Sequence, residues 1–133
     1  MKKIADTGLL VAALDRSDSF HSWGAAQLRQ YAPFYTCDAV LVEVAFVLGD
    51  PVPGFKLLAR GDLLLDFDLS AHSPRVLELL EKYSDRSMDV ADACLVRMTE
   101  LVDRCKIWTV DKEDFNAYRR HGRQVVPCEF PWI

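Results

Sequence analysis

The chain has 133 residues, of which 50% are hydrophobic and 27% are charged, and its formal net charge is −4. This length predicts one globular domain spanning residues 1–133, and the composition excludes a disordered chain. The negative charge argues against a nucleic-acid-binding protein that acts through a broad basic surface, but it is compatible with a pocket of carboxylates.

Apolar runs alternate with turn and capping residues along the chain, a pattern typical of strands alternating with helices. In chain order, the predicted elements are a strand at Lys2–Ala5, a helix at Leu9–Leu14, a helix from Asp18 or Ser19 to Tyr31, a strand at Phe34–Thr36, a helix capped by Asp38 and running to Leu48, a turn at Pro53-Gly54, a helix at Phe55–Arg60, a strand at Leu63–Phe67, a helix from Ser73-Pro74 through Tyr83, a helix from Ser87 through Val102, a strand at Lys106–Val110, a helical segment at Lys112–Arg120 and a last strand near Gln124–Val126. This order predicts a parallel α/β sheet of about four or five strands with helices on both faces.

Apolar runs are too short to span a membrane. The longest, Leu9–Leu14 and Val40–Leu48, fall well below the ~20 residues of a transmembrane helix. Asp6 interrupts the apolar stretch that a secretory signal would require. We therefore expect a cytoplasmic protein, with its cysteines reduced and structural because they show no CxxC or zinc-site spacing.

Glu43 is the only charged residue between Val40 and Leu48, in a predicted helix that is apolar nearly all round. Such a helix is expected to be buried. An unpaired carboxylate in a protein interior costs several kcal/mol, so Glu43 is expected to be protonated, paired with a cation or placed at a polar cleft. A partly exposed glutamate, or one bonded to a nearby arginine, explains the pattern equally well.

Asp6 and Asp111 each follow a predicted strand. The carboxyl ends of parallel strands meet at one edge of a sheet, where ligands bind. Each residue alone is also explained as a turn or helix-capping residue. Their joint placement at one sheet edge is what favours a functional site.

Asp89 and Asp92 lie at the start of a predicted helix, where the helix dipole alone would explain acidic residues. If Asp92 also joins Asp6, Glu43 and Asp111, like charges ~4 Å apart repel by about 4 kcal/mol at an effective dielectric near 20. A cation would relieve this repulsion. Oxygen ligands without cysteine or histidine favour Mg²⁺ or Mn²⁺.

Four acidic segments of the chain resemble the acidic blocks of PIN-domain proteins, especially VapC-type toxins, and occur in the same order as in that family. The segments are Ile4–Gly8, Val42–Val44, Met88–Ala93 and Thr109–Phe115. The resemblance implies a Rossmann-like PIN fold and a Mg²⁺- or Mn²⁺-dependent endoribonuclease that cleaves RNA. It also implies a homodimer that is inhibited by a small cognate antitoxin.

The resemblance also assigns roles to individual residues. Asp6, Glu43, Asp92 and Asp111 would form the catalytic acidic quartet, with Asp6 and Asp92 as the primary metal ligands. The outer candidates for metal binding are Asp89 and Asp114, and Thr109 would orient the last acid of the quartet.

Two other functions compete with this interpretation. A phospho-receiver domain also places an acidic Mg²⁺ pocket at strand ends, but it needs an acidic pair after the first strand, and here only Asp6 follows that strand. A PIN-fold protein that binds or processes RNA without a toxin role is the second alternative.

Overall fold

Five parallel strands form the central sheet of the computed structural model, which describes residues 1–131. The strands are β1 (Lys2–Ala5), β2 (Phe34–Thr36), β3 (Leu63–Leu65), β4 (Cys105–Trp108) and β7 (Cys128–Glu129), in the spatial order β3-β2-β1-β4-β7. In the register of the sheet, Ile4 lies opposite Tyr35 on one side and Ile107 on the other. The predicted parallel α/β architecture is confirmed.

Seven α-helices in the described residues flank the sheet. They are α1 (Thr7–Leu14), α2 (His21–Tyr31), α3 (Asp38–Leu48), α4 (Val52–Arg60), α5 (Leu69–Lys82), α6 (Val90–Glu100) and α7 (Lys112–Ala117), with a short 3₁₀ helix at Ser84–Arg86. Apolar residues of the central strands and of the helices share one core, in which Ile4, Phe34, Leu95 and Ile107 are fully buried. Across residues 1–131, no helix has both the length and the apolar character needed to cross a bilayer.

The order of the strands places a crevice beside β1. From β1 the chain moves outward to β2 and β3, then returns through α5 and α6 to β4 on the other side of β1. At such a switch point the loops after the two neighbouring strands diverge, and ligands bind between them. The loops that begin at Asp6 and at Thr109 are the two that border this crevice.

The start of α5 differs from the prediction that Ser73-Pro74 caps and begins the helix. The helix begins at Leu69, and the side chain of Asp68 accepts a hydrogen bond from the backbone N–H of Ala71. Pro74 therefore lies inside the helix and cannot donate to the carbonyl of Ser70. The hydroxyl of Ser73 donates to that carbonyl instead, at 3.1 Å, which makes the proline tolerable.

Other predicted boundaries were also wrong. Pro53-Gly54, predicted as a turn, lies in the first turn of α4, where a proline loses no helical hydrogen bond. Ser87 does not open α6, because its backbone is left-handed with φ of 57°, and Asp89 caps the helix instead. The segment predicted as helical to Arg120 ends at Ala117.

The chain after α7 forms two pairings instead of one. Gln124–Val125 is the strand β6, near the predicted position, but it pairs antiparallel with β5 (Arg119–Arg120) outside the central sheet. The fifth strand of the sheet is β7, which lies in the segment predicted as a proline-containing tail. The prediction that the last strand of the sheet lies near Gln124–Val126 was therefore wrong.

Helix α3 is only half buried, contrary to the prediction from its apolar sequence. Val40 and Val44 lie in the core, against the rest of the fold. On the opposite side, Val42 is 68% exposed, Phe46 85% and Val47 56%. No element among the described residues covers this side, so the helix presents an apolar surface to solvent.

Candidate active site

A cleft of about 360 Å³ lies at the carboxyl ends of β1 and β4, next to the start of α6 and the middle of α3. Seven carboxylates line it: Asp6, Asp18, Glu43, Asp89, Asp92, Asp111 and Asp114. The structure thus brings to one cleft all six acidic residues that the sequence singled out. Asp18, predicted only as a helix cap, is the seventh.

Asp6 is the most buried of these carboxylates, with 6% of its surface exposed. Its Oδ1 accepts a hydrogen bond from the backbone N–H of Thr7 at 2.7 Å, and its Oδ2 accepts one from the hydroxyl of Thr109 at 2.7 Å. Burial raises the pKa of Asp6 to about 6, although both hydrogen bonds lower it and the charges of Glu43 and Asp111 add to the rise. Its orientation is therefore defined before any ligand binds.

Thr109 connects the loops that follow β1 and β4. Its fully buried hydroxyl donates to Asp6 and accepts a hydrogen bond from the backbone N–H of Asp111 at 3.0 Å. A single side chain thus contacts both acidic positions at the switch point. Asp111 itself lies three residues beyond the last residue of β4, with Thr109 and Val110 between them.

Asp92 lies in the first turn of α6 and accepts a hydrogen bond on Oδ2 from the hydroxyl of Tyr118 at 2.8 Å. Burial raises the pKa of Asp92 to about 8, and the nearby charge of Asp89 contributes further. The hydroxyl of Tyr118 acts in the opposite direction. No motif or spacing in the sequence connects Tyr118 with this site.

Asp89 and Asp111 each have one oxygen engaged in helix capping. Oδ1 of Asp89 accepts from the backbone N–H of Asp92 at 2.8 Å, and Oδ1 of Asp111 accepts from that of Asp114 at 3.1 Å. Asp114 forms an ion pair with Arg86 at 3.2 Å. Capping is thus a real role of Asp89 and Asp111, and it leaves each of them a second oxygen.

Glu43 enters the cleft from α3 and is half-buried. Burial raises its pKa, and the negative charge of Asp89 adds to the effect. In residues 1–131 it forms no ion pair with an arginine or lysine, so the alternative of a neutralising arginine is not realised there. Glu43 also borders the exposed apolar groove formed with Val42, Phe46 and Val90.

Thr7 contributes a buried hydroxyl to the wall of the cleft. Thr7 is 7% exposed, and its Oγ1, although close enough to Glu43 to lower the pKa of that carboxyl, makes no hydrogen bond within the described part of the chain. Buried polar groups are rarely left without a partner. Thr7 belongs to the first acidic segment of the sequence, but only its burial in the structure distinguishes its hydroxyl from that of an ordinary helix residue.

The donor set of the cleft fits a hard divalent cation. Its potential ligands are carboxylate oxygens, which Mg²⁺ and Mn²⁺ prefer. Burial raises the pKa values of Asp6 and Asp92, and the negative charges of neighbouring carboxylates add to the rise, an effect that a bound cation would oppose. In the conformation described for residues 1–131, however, no three Asp, Glu, His or Cys side chains converge tightly enough to hold a metal ion. The less constrained side chains of the cleft would have to move closer to Asp6 and Asp92 to bind one.

Comparison with known proteins identifies the fold family. A family model described as PIN domain matches residues 3–121, which include all four acidic segments. No curated protein matches the chain. Because the family model covers most of the sequence and the sheet has the corresponding α/β architecture, the chain belongs to the PIN-domain family, whose members are generally nucleases.

Proposed function

We propose that this protein is a Mg²⁺- or Mn²⁺-dependent endoribonuclease, the toxin of a VapC-type toxin–antitoxin pair. The observation that carries the proposal is the convergence of Asp6, Glu43, Asp92 and Asp111 on one cleft at the switch point of the sheet. Grouping carboxylates costs free energy, because they repel one another and lose solvation. Such a group is expected where a cation compensates the negative charge.

We assign roles to the residues of the cleft according to how deeply each is buried. Asp6 and Asp92 are the proposed primary metal ligands, because they are the more deeply buried and a hydroxyl orients each of them. The more exposed Glu43 and Asp111 would complete the ligand set or accept a proton from the attacking water. When bound, the cation would activate that water and stabilise the negative charge on the scissile phosphate.

Asp89 and Asp114 are proposed as outer members of the site. Both line the cleft, but Asp89 caps α6 and Asp114 pairs with Arg86, so their oxygens are partly engaged. Their negative charges would still add to the attraction for a cation. Thr109 would act on the last acid, Asp111, through the hydrogen bond to its backbone.

The toxin role implies specific partners. We propose a cytoplasmic homodimer whose acidic cleft binds a basic segment of a small antitoxin, a view that rests on the family resemblance and on electrostatic complementarity. The reading frame adjacent to the gene provides a direct check. A short frame encoding a DNA-binding antitoxin-like protein would support the toxin role, whereas failure of the neighbouring product to bind would contradict it.

The proposed mechanism is tested by Asp6→Asn and Asp92→Asn. Each variant should cut a structured RNA at least about 100-fold more slowly than the wild type, because it loses an anionic metal ligand. In EDTA at pH 8, where the carboxylates ionise, each should melt at the same or a higher temperature, since one charge of the repelling cluster is gone. Asp103→Asn, at an exposed position outside the cleft, is the matched control and should change neither quantity.

Two results would contradict the proposal. One is RNA cleavage by both variants at the wild-type rate. The other is a wild-type melting temperature that Mg²⁺ does not raise, because a cation that binds only the folded state must stabilise it. RNA binding without cleavage by the purified wild type would instead favour a PIN-fold binding protein.

A further inference from the structure

Tyr118 is a buried aromatic residue whose hydroxyl contacts Asp92, one of the carboxylates of the cleft. Its exposed fraction is 0%, and it directly follows Ala117, the last residue of α7. Its ring contacts the edges of two others, with centroids 5.1 Å from Tyr83 and 5.2 Å from Phe115. Its backbone N–H donates to the carbonyl of Asp114 at 3.0 Å. Both the ring and the backbone of Tyr118 are therefore held in place.

The segment after Tyr118 is anchored as well. The guanidinium of Arg120 donates to the carbonyl of Thr99 and, at 2.7 Å, to the carbonyl of Val102. A hydroxyl on so constrained a ring has little freedom to choose its partner. It donates to Oδ2 of Asp92 at 2.8 Å.

We propose that Tyr118 is a positioning residue for metal binding: its hydroxyl holds Oδ2 of Asp92 and so directs the other carboxylate oxygen toward a divalent cation in the cleft. This inference rests on the proposed metal-dependent function. Asp92 is the carboxylate of the cleft on which Tyr118 is proposed to act.

Asp6 offers a parallel within the same cleft. There the hydroxyl of Thr109 donates to one carboxylate oxygen at 2.7 Å, from a side chain that is also fully buried. The two proposed primary ligands are thus each held by one buried hydroxyl, supplied by a residue distant in sequence. A hydrogen-bonding partner of this kind orients a metal ligand, and its loss typically weakens metal binding by about 10–100-fold.

The test compares Tyr118→Phe with Tyr83→Phe. Both substitutions remove one buried tyrosine hydroxyl from the same ring cluster, but only the first removes the donor to Asp92. Mn²⁺ is the probe, and its Kd is measured by calorimetry and by electron paramagnetic resonance. The melting temperature in EDTA, measured for each variant, separates a change in metal binding from a loss of folding.

Tyr118→Phe should raise the Kd for Mn²⁺ roughly tenfold, whereas Tyr83→Phe should leave it within about twofold of the wild type. RNA cleavage gives a second readout. The rate of Tyr118→Phe should recover substantially at saturating Mn²⁺, because the defect lies in ion binding, and a merely structural defect would not recover.

Three outcomes would overturn the inference, and they can be told apart. If the wild type binds no Mn²⁺, the proposed function fails and this inference fails with it. If the wild type binds Mn²⁺ and Tyr118→Phe binds it equally well, only the role of Tyr118 is wrong. If both tyrosine variants weaken binding to the same extent, the ring cluster acts through packing and the hydroxyl of Tyr118 has no specific role.

Discussion

Two opposing effects act on Asp6, and the pKa shows which is larger. Hydrogen bonds from Thr7 and Thr109 favour the charged carboxylate, and such bonds to charged groups contribute about 1.5–3 kcal/mol each. The pKa of Asp6 nevertheless rises from 3.8 to about 6, chiefly because the group is buried. Loss of solvation therefore outweighs both hydrogen bonds. A ligand that supplies positive charge would reverse the balance.

The raised pKa values predict how stability depends on pH in metal-free buffer. Asp6 and Asp92 keep their protons up to pH values of about 6 and about 8 in the folded protein, whereas in the unfolded chain they lose them near 3.8. Between those limits the folded state binds more protons, so the free energy of unfolding falls as pH rises. We expect the melting temperature in EDTA to decrease from pH 5 to pH 8.

Two comparisons test the origin of this decrease. Asp92→Asn should show a weaker dependence over the same range, because the substituted amide does not titrate. Saturating Mg²⁺ should raise the wild-type melting temperature most at pH 8, where the carboxylates are ionised. A wild-type melting temperature in EDTA that is constant or increases between pH 5 and pH 8 would contradict the electrostatic description of the cleft.

At the scale of the helix, Asp89 has two roles with opposite effects on stability. Its side chain caps α6 by accepting from the backbone N–H of Asp92, and its charge raises the pKa values of Asp92 and Glu43. Asparagine caps a helix about as well as aspartate but carries no charge, whereas alanine does neither. The two substitutions therefore separate the roles.

We predict that Asp89→Asn is more stable than the wild type in EDTA at pH 8, because it keeps the cap and removes repulsion. Asp89→Ala should be less stable than Asp89→Asn by about 1 kcal/mol, the usual contribution of a helix cap. Urea denaturation followed by circular dichroism measures both free energies. Equal stability of the two variants would show that Asp89 does not contribute as a cap.

Helices and strands with strong local signals could be predicted from the sequence. The Gly49 that ends α3 adopts the left-handed backbone that helix ends favour, with φ of 69°. The strand β7 could not be predicted, because it has two residues, follows Pro127 and is defined by its pairing with β4. Similarly, the sequence shows that α3 is apolar but not that its outer side lacks a covering element.

The site shows the same division between local and tertiary information. Asp6 and Asp111 could be placed at one sheet edge, because each comes shortly after a strand and parallel strands share that edge. Tyr118 lies 26 residues beyond Asp92, and no spacing rule relates the two. Its contact depends on how the chain that follows α7 packs against α6, which only the assembled fold defines. The roles of all these residues remain predictions.

For the whole molecule, the position of the charges is more informative than their sum. The seven carboxylates of the cleft more than account for the net charge of −4, so the rest of the chain carries net positive charge. The acidic composition is thus compatible with RNA as a partner. It argues only against binding RNA through a broadly basic surface. A cation bound in the cleft would reduce the electrostatic repulsion between the carboxylates and the phosphates of RNA.

The exposed apolar side of α3 leads to a prediction about assembly. Phe46 is 85% exposed and Val42 68%, and Phe55 of the adjacent α4 is 57% exposed. Apolar side chains grouped on a protein surface commonly mark an interface. Burying them stabilises the complex by about 25 cal/mol for each Å² of apolar surface removed from water. We predict that this surface pairs two copies of the chain, in agreement with the homodimer that the family resemblance implies.

Phe46 offers the sharpest test of that assembly, because it contributes a large ring and has little contact with its own fold. Phe46→Arg should convert a dimer into a monomer at micromolar concentration, since a buried unpaired charge costs several kcal/mol, whereas Phe46→Leu should remain dimeric. Analytical ultracentrifugation measures the mass, and the melting temperature checks that each variant is folded. A monomeric wild type would rule out the dimer, and a dimeric Phe46→Arg would place the interface elsewhere. Phe46 lies three residues after Glu43 on α3, and Glu43 borders both the apolar groove and the acidic cleft. A second copy seated on this surface would therefore lie beside the cleft and restrict the side from which RNA enters it.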